Sequence, residues 1–150
     1  MTPLSPNFSL EELTFSEMAL RRGWKNDPSP LALENLKRLC ETLLEPIRAA
    51  FGVPIHVNSG YRSAQINKAV GGATGSAHMI GRAADIVPIG IPLQMAFDHI
   101  RQDMDLHVDQ VIFECKAWIH VAIAPEDITP RREFLTATGQ PGAWQYTRVV

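Results

Sequence analysis

Long hydrophobic runs, clustered charge and cysteine are all scarce in this chain of 150 residues. No stretch approaches the roughly 18 consecutive apolar residues of a membrane-spanning helix, so we expect no membrane span. The 14 basic residues nearly balance the 16 acidic ones, for a formal net charge of −2, and no run of Lys and Arg exceeds two residues. Because a surface that follows phosphates needs clustered positive charge, we expect no nucleic-acid partner.

The N-terminal segment MTPLSPNFSLEEL lacks the basic and apolar stretches of a secretory signal peptide. We therefore expect a protein without a signal peptide that is cytoplasmic at synthesis. Its two cysteines, Cys40 and Cys115, are predicted to be reduced thiols, since a lone pair far apart in such a chain seldom forms a disulfide. With 45% hydrophobic and 20% charged residues, residues 1–150 are typical of one globular domain, which we expect to be a monomer.

Apolar periodicity and capping residues predict three helices. A capping box begins a helix predicted from about Leu10 to Arg21. Apolar residues three or four positions apart predict a long helix from Leu31 to Ala50, with a kink in its last turn at Pro46, and a shorter helix from Pro92 to Asp103.

The remaining apolar segments predict a small sheet. We expect strands at Pro54–Asn58, near Asp85–Val87, and in a tight hairpin at 110–123. The predicted class is α+β, with a mostly antiparallel sheet and the N-terminal helices packed on one of its faces. The segment 125–150 is rich in Pro, Arg, Thr and Gly and is predicted to be an irregular tail.

One histidine and one aspartate stand among small residues in SAHMIGRAADI, residues 76–86. Zinc accepts His nitrogen and Asp oxygen at about 2.0–2.2 Å, and a catalytic zinc site takes three protein ligands and leaves a fourth position for water. His78 and Asp85 offer two ligands, and His120, in the middle of the second hairpin strand, offers a third. A histidine in an apolar strand is more often a hydrogen-bonded structural residue, so the spacing alone leaves both interpretations open.

Short motifs surround these residues in a set order: SGYR at 59–62, then Asn67, S-x-H-x-x-G-x-A-x-D at 76–85, and W-x-H at 118–120. This pattern resembles the zinc D-Ala-D-Ala carboxypeptidase family. The family is a branch of a metallopeptidase superfamily that also holds D-Ala-D-Ala dipeptidases, phage endolysins and the hedgehog signalling domain. The motif core covers about 53–123, and the resemblance implies a zinc cleft on the sheet face opposite the helices.

The resemblance implies that His78, Asp85 and His120 bind one zinc ion per chain. It also implies that Arg62 meets a carbonyl oxygen or carboxylate of the substrate, and a guanidinium suits that role because it is always charged and forks onto carboxylate oxygens. Five further residues are predicted to orient the ligands or the substrate, and they are Ser59, Tyr61, Asn67, Ser76 and Trp118.

The general base departs from the superfamily pattern. In the dipeptidases and endolysins an acidic residue lies three positions before the last histidine ligand, where this chain has Ala117. Glu114 is the nearest carboxylate upstream of that histidine, resembles the glutamate of an E-x3-W-x-H pattern in a phage-associated subfamily, and is the predicted base. The alternative for Glu114 is an exposed glutamate at the end of a hairpin, and Asp109 is a weaker candidate base at the hairpin's far end.

These assignments imply a zinc metallopeptidase that uses zinc-activated water to hydrolyse D-amino-acid-containing bonds of peptidoglycan stem peptides. It would be a carboxypeptidase or an endolysin-like endopeptidase, acting at the cell wall after release in phage lysis or from a virion. The competing interpretation is a catalytically inactive zinc-binding module, such as a phage tail-associated or wall-binding protein. Glu114 separates the two, because a base must face the zinc-bound water and an incidental glutamate faces solvent.

Overall fold

The computed structural model describes residues 1–150. In chain order the elements are β1 (Pro3–Ser5), β2 (Phe8–Ser9), α1 (Leu10–Thr14), α2 (Glu17–Arg22), α3 (Pro30–Leu39), a π-helical segment (Cys40–Leu44), α4 (Glu45–Phe51), β3 (Ile55–Ser59), α5 (Ala64–Ala69), a 3₁₀ turn (Ala77–Ile80), β4 (Ala83–Pro88), α6 (Leu93–Gln102), β5 (Gln110–Glu114), β6 (Trp118–Ala122), β7 (Glu133–Gln140) and β8 (Ala143–Arg148). None of the helices combines the length and the apolar character that a membrane crossing requires.

The main sheet has six strands in the order β3-β4-β6-β5-β7-β8. Every neighbouring pair is antiparallel except β5 and β7, which run parallel. The predicted α+β class and the mostly antiparallel sheet are therefore confirmed. Successive side chains of a strand point to opposite faces of the sheet. The pairing register of the strands therefore determines which residues pack in the core and which lie on the opposite face.

The helices cover one face of this sheet. Ala84 and Ile86 of β4 and Ile119 and Val121 of β6 are fully buried there in one cluster with the apolar side chains of α3, the π-helical segment, α4 and α6. Asp85 lies between two of these core residues and so points to the opposite face. At roughly 25 cal/mol per Å² of buried apolar area, this cluster makes the register of β4 and β6 costly to change.

The predicted long helix is continuous but changes its hydrogen-bond pattern before Pro46. Cys40–Leu44 is π-helical, and the Glu45 N–H donates to the carbonyl of Cys40. Proline lacks the N–H that an α-helix requires, and the wider turn accommodates that gap without ending the helix. The first predicted helix is instead divided at Phe15 and Ser16, because the Ser16 hydroxyl caps α2 by accepting from the Ala19 N–H at 3.1 Å.

The prediction of an irregular tail is wrong. Residues 133–140 and 143–148 form the β7–β8 hairpin, which pairs with the edge of β5. β5 would otherwise present a row of unpaired backbone groups, and β7 satisfies them by parallel pairing. Pro141 and Gly142 (φ +85°) join the two strands in a two-residue turn.

Glu45 ties the N-terminal hairpin to the helix layer. Its Oε1 accepts from the Ser5 hydroxyl at 2.8 Å and from the Asn7 N–H at 2.7 Å, and its Oε2 accepts from Asn7 Nδ2 at 2.8 Å. Burial alone would raise the pKa of Glu45, but these hydrogen bonds lower it overall. The carboxylate therefore stabilises the folded chain while it is ionised.

We expect Glu45→Ala to lower the free energy of unfolding by about 1–2 kcal/mol, because three donors lose a charged acceptor at a site that is partly open to water. Urea denaturation measures this change, with Glu41→Ala, an exposed glutamate one turn earlier, as the matched control. Since the pKa of Glu45 lies below its ordinary 4.5, the difference should hold above pH 4.5 and shrink as the pH falls below it. Equal stability of the two variants at pH 7 would show that these hydrogen bonds contribute nothing.

Candidate metal centre

Two adjacent strands and one short turn bring three potential metal ligands together. Asp85 of β4 and His120 of β6 are directly opposite each other in the antiparallel register. His78 lies in the 3₁₀ turn before β4, where the Ser76 hydroxyl accepts from the His78 N–H at 3.2 Å. The ligands are therefore presented by a paired sheet and a capped turn, which fix their positions.

The three donor atoms form a nearly equilateral triangle. His78 Nε2 lies 3.2 Å from His120 Nδ1 and 3.3 Å from Asp85 Oδ1, and His120 Nδ1 lies 3.1 Å from Asp85 Oδ1. Ligand atoms bound to a tetrahedral zinc ion at 2.0–2.1 Å are separated from one another by about 3.3 Å. The donor set and its spacing thus fit zinc, and the predicted ligands are brought together as a group.

The environment prepares these side chains to bind a cation. His78 Nδ1 lies 2.6 Å from the Gly60 carbonyl oxygen and donates to it, which leaves Nε2 with a lone pair facing the cluster. Burial lowers the pKa of His78, which favours the neutral imidazole that binds metals.

Arg62 lies beside the cluster and is held by three hydrogen bonds. Its Nη2 donates to Asp85 Oδ2 at 3.1 Å, its Nη1 to Asn67 Oδ1 at 3.0 Å, and its Nε to Ser59 Oγ at 3.0 Å. The buried Asn67 is in turn anchored by its Nδ2, which donates to the Ala73 carbonyl at 2.9 Å. A guanidinium has five N–H groups, so two remain for a substrate.

Glu114 faces the metal ligands from the end of β5. Its Oε1 lies 3.9 Å from His120 Nδ1, and its Oε2 accepts from the Trp118 indole N–H at 2.9 Å. The carboxylate side chain is only 15% exposed. Burial, reinforced by the charge of Asp85, raises the pKa of Glu114, as is common for groups that accept protons in catalysis.

The other predicted site residues have less direct contacts. Tyr61 lines the cleft and packs against the apolar core. Asp109 also lines the cleft, but its carboxylate is paired with Arg131. Arg131 Nε donates to Oδ1 at 3.2 Å and to Oδ2 at 3.1 Å, and Arg131 Nη2 donates to Oδ2 at 2.8 Å. That pairing leaves Asp109 less able to accept a proton than Glu114.

Gly81 ends the 3₁₀ turn that carries His78 and has φ +75°. A Cβ at this position would overlap the carbonyl oxygen of Ala32 and lie 3.1 Å from Leu36 Cγ. We expect Gly81→Ala to lower the free energy of unfolding by about 2–5 kcal/mol, through backbone strain and overpacking together, and to weaken zinc binding by displacing His78.

Gly23→Ala is the matched control for this substitution. Gly23 has a similar φ of +68°, but a Cβ there would meet nothing within 4 Å. It should therefore cost only about 1–2 kcal/mol of strain and leave zinc binding unchanged. If the two variants have the same thermal stability and zinc affinity, the contact between Gly81 and α3 is unimportant.

The C-terminal hairpin contributes residues to the site that are not among the predicted site residues. Leu135, Pro141, Trp144 and Tyr146 line the same cleft of about 760 Å³ as the metal ligands. The turn dipeptide Pro-Gly, between two segments rich in Thr and aromatic residues, is the sequence signal that predicts this hairpin.

Two comparisons with known proteins agree with this geometry. The model of a family described as peptidase M15 matches residues 6–122. A segment of 44 residues is 52% identical to the zinc D-Ala-D-Ala carboxypeptidase of Streptomyces albus G, over 29% of this chain and 17% of that protein. The chain thus matches less than a fifth of this relative's length. The family match includes the three ligands, Arg62 and Glu114, and ends before β7 begins.

Proposed function

This chain belongs to the peptidase M15 family, and from that premise we propose that it is a zinc-dependent peptidase of peptidoglycan stem peptides. The proposed reaction is hydrolysis of a peptide bond that involves a D-amino acid. The substrate class is supported by the partial relative, which is named a zinc D-Ala-D-Ala carboxypeptidase. The chemistry is supported by this chain's own residues.

The orientation of Glu114 is the observation that carries the proposal. A zinc-binding module without catalysis needs the three ligands but no carboxylate beside them. Here Glu114 points at the ligand cluster, with Oε1 3.9 Å from His120 Nδ1, and it is held by Trp118 rather than by solvent. This arrangement favours the enzyme over the inactive module.

In the proposed mechanism, zinc held by His78, Asp85 and His120 would polarise the scissile carbonyl and activate a water molecule. Glu114 Oε1 accepts the proton of the attacking water and later delivers it to the leaving amine. The Trp118 indole N–H holds Oε2, which keeps Oε1 turned toward the cluster.

Arg62 has two roles in this proposal. Its contact with Asp85 orients that ligand, as neighbouring hydrogen-bond partners of metal ligands commonly do. Its two remaining N–H groups are proposed to bind a substrate carbonyl oxygen or carboxylate, and so to stabilise the negative charge that develops on hydrolysis. Ser59 and Asn67 position Arg62 for this role.

The setting of the reaction is also part of the proposal. We infer that the protein acts as a monomer with one zinc ion, at the cell wall, in phage lysis or as a virion component. The family resemblance is the support for this setting.

The experiment that tests the function is hydrolysis of a synthetic stem pentapeptide ending in D-Ala-D-Ala, together with purified peptidoglycan. The protein is assayed as purified, after removal of metal with a chelator, and after zinc is restored. We expect one zinc per chain, loss of hydrolysis in the chelated protein and recovery with zinc. If one zinc binds but neither substrate is cut, the peptidase assignment is wrong and the binding module takes its place.

A further inference from the structure

The floor of the cleft changes from apolar to polar along the strands. Beside the metal ligands, the aligned row of the sheet continues across β5 and β7 with Ile112 and Leu135. The next row on the same face lies two residues along the strands, about 7 Å away. It contains Ala83, Ala122, Gln110 and Glu133. A substrate that follows the strands in this direction therefore passes apolar side chains and then reaches polar ones.

Charged side chains surround this polar end. Arg82 directly precedes β4, Asp109 directly precedes β5, and Arg131 lies just before β7, so the three line the cleft at the same end of the sheet. Asp109 is already paired with Arg131. Arg131 Nη1 also lies 3.8 Å from Glu133 Oε1, which accepts from Gln110 Nε2 at 2.7 Å. These groups satisfy one another and leave Arg82 outside their network.

Arg82 is the one arginine of the cleft without an anionic partner. The other three each have a carboxylate oxygen within 4.0 Å, and these pairs are Arg21 with Glu17, Arg62 with Asp85 and Arg131 with Asp109. The backbone of Arg82 is nevertheless fixed. Its N–H donates to the Ala77 carbonyl at 3.0 Å, and its carbonyl accepts from the Ile123 N–H at 2.9 Å. The half-buried side chain thus starts from a rigid position and has no partner within the protein.

The surroundings of Arg82 favour an incoming anion. Burial lowers the pKa of Arg82, and the charges of Arg38 and Arg131 add to this shift, although Asp109 opposes it. An arginine stays protonated in proteins, so the guanidinium keeps its charge and its five N–H donors. A carboxylate that reaches it can accept two parallel hydrogen bonds, which are stronger than those between neutral groups.

We propose that Arg82 binds a carboxylate of the substrate, carried by the side chain of a residue about two positions from the scissile bond. The inference rests on the proposed peptidase function and assigns a side-chain specificity that this function leaves open. Two residues of an extended peptide span about 7 Å, which is also the separation between the two rows of the floor. A substrate residue at that distance lies over Ala122 and Gln110, beside the strand that Arg82 precedes.

A substrate side chain that carries only a positive charge is disfavoured there. It would lie near the unpaired charge of Arg82, while the nearest carboxylate of the cleft, Asp109, is occupied by Arg131. Repulsion of this kind selects between substrates as effectively as attraction does. The site should therefore prefer a side chain that ends in a carboxylate, with or without an ammonium group beside it, over a side chain that ends in an ammonium group alone.

Three stem pentapeptides that differ only in the third residue test this preference. The third residue lies within two positions of every peptide bond of a pentapeptide, so the test does not depend on which bond is cut. The residue is meso-diaminopimelate, whose side chain ends in an ammonium and a carboxylate, the side-chain amide of the same residue, or lysine. For wild-type, zinc-loaded protein we expect kcat/KM for the acid to exceed that for the amide by about tenfold or more, with lysine no better than the amide. Values for the acid and the amide within about threefold of each other would overturn the proposal.

Arg82→Gln tests whether this side chain is responsible. Glutamine keeps a hydrogen-bond donor but loses the charge, so the ratio between the acid and the amide should fall to within about threefold of one. Arg21→Gln is the matched control, because Arg21 also lines the cleft but has Glu17 as its partner, and it should keep the wild-type ratio. If Arg82→Gln lowers both rates equally and keeps the ratio, Arg82 has only a structural role and the proposal is wrong. The wild-type comparison decides the matter if the variant does not fold.

Binding gives a readout that does not depend on turnover. Calorimetry with zinc-loaded Glu114→Gln should show about tenfold tighter binding of the acid than of the amide, and adding Arg82→Gln should remove the difference. If wild type cuts none of the peptides but this preference is present, the proposed function is wrong and the carboxylate site is retained. If the acid and the amide bind equally, the carboxylate site is wrong whatever the activity.

Discussion

Replacing His120 with alanine is expected to abolish stoichiometric zinc binding while leaving the fold in place. His120 supplies one of three ligands at the centre of the cluster, where its Nδ1 lies within 3.2 Å of both other donor atoms. Changes to groups that merely orient ligands typically cost 10–100-fold in metal affinity, so loss of a ligand should cost on the order of 1,000-fold or more. The remaining pair, His78 and Asp85, is too few for a zinc site of this kind.

The fold should survive because the neighbours of His120 carry the packing. Ile119 and Val121 are fully buried against the helices, whereas His120 faces the cleft. Zinc content after gel filtration and thermal unfolding with and without zinc measure the two effects. Wild type should gain about 2.7 kcal/mol of stability at a zinc concentration 100 times the Kd, and the variant should gain nothing.

His99→Ala is the matched control. His99 is half-exposed on α6, and its Nδ1 contacts Asp103 at 2.8 Å, outside the residues that line the cleft. This variant should retain one zinc per chain and the full stabilisation by zinc. If His120→Ala behaves in the same way, the three-ligand assignment is wrong.

The parts of this site that could be predicted from sequence are local or follow from strand alternation. His78, Gly81 and Asp85 lie within one short turn and the strand after it, and Asp85 and His120 each stand between buried residues of a strand, so their side chains must point away from the core. Spacing alone leaves their role open, and it is the family resemblance that implies the ligand set. The direct pairing of Asp85 with His120 needs the register between β4 and β6, which no local pattern specifies.

The C-terminal hairpin could not be predicted as part of the site for a different reason. β7 pairs with β5 in parallel, after a connection that includes β6, and such pairing depends on long-range contacts rather than on neighbouring residues. The segment's Pro, Gly and Arg content is typical of a loop, and only Phe134 among its aromatic residues is buried. The Pro141–Gly142 dipeptide predicts a turn in this segment, but no local pattern predicts that the hairpin around it joins the cleft.

Two carboxylates of the cleft compete for the role of base, and their partners distinguish them. Asp109 is paired with the Arg131 guanidinium. Burial alone would raise the pKa of Asp109, but the hydrogen bonds from the side chain and the backbone N–H of Arg131 lower it overall. Burial, reinforced by the charge of Asp85, raises the pKa of Glu114, although His120, the hydrogen bond from Trp118 and Arg62 oppose this shift. A group that must take up a proton is better served by the second environment.

Glu114→Gln is therefore expected to keep the zinc ion and lose the reaction. Glutamine has the same shape, and its side-chain oxygen still accepts from the Trp118 indole N–H, but it cannot take a proton from water. Loss of general base catalysis typically costs 10²–10⁴-fold, so kcat for the stem peptide should fall by about that factor with zinc content unchanged. Steady-state hydrolysis and metal analysis on the same preparation measure both quantities.

Two further variants make this result specific to Glu114. Glu126→Gln changes an exposed glutamate outside the cleft and should have wild-type activity. Asp109→Asn removes the charge that pairs with Arg131 and should reduce kcat by less than about tenfold, since the loss is confined to an ion pair away from the ligands. If Asp109→Asn instead loses the activity and Glu114→Gln retains it, Asp109 is the base, and Glu114 is a structural partner of Trp118.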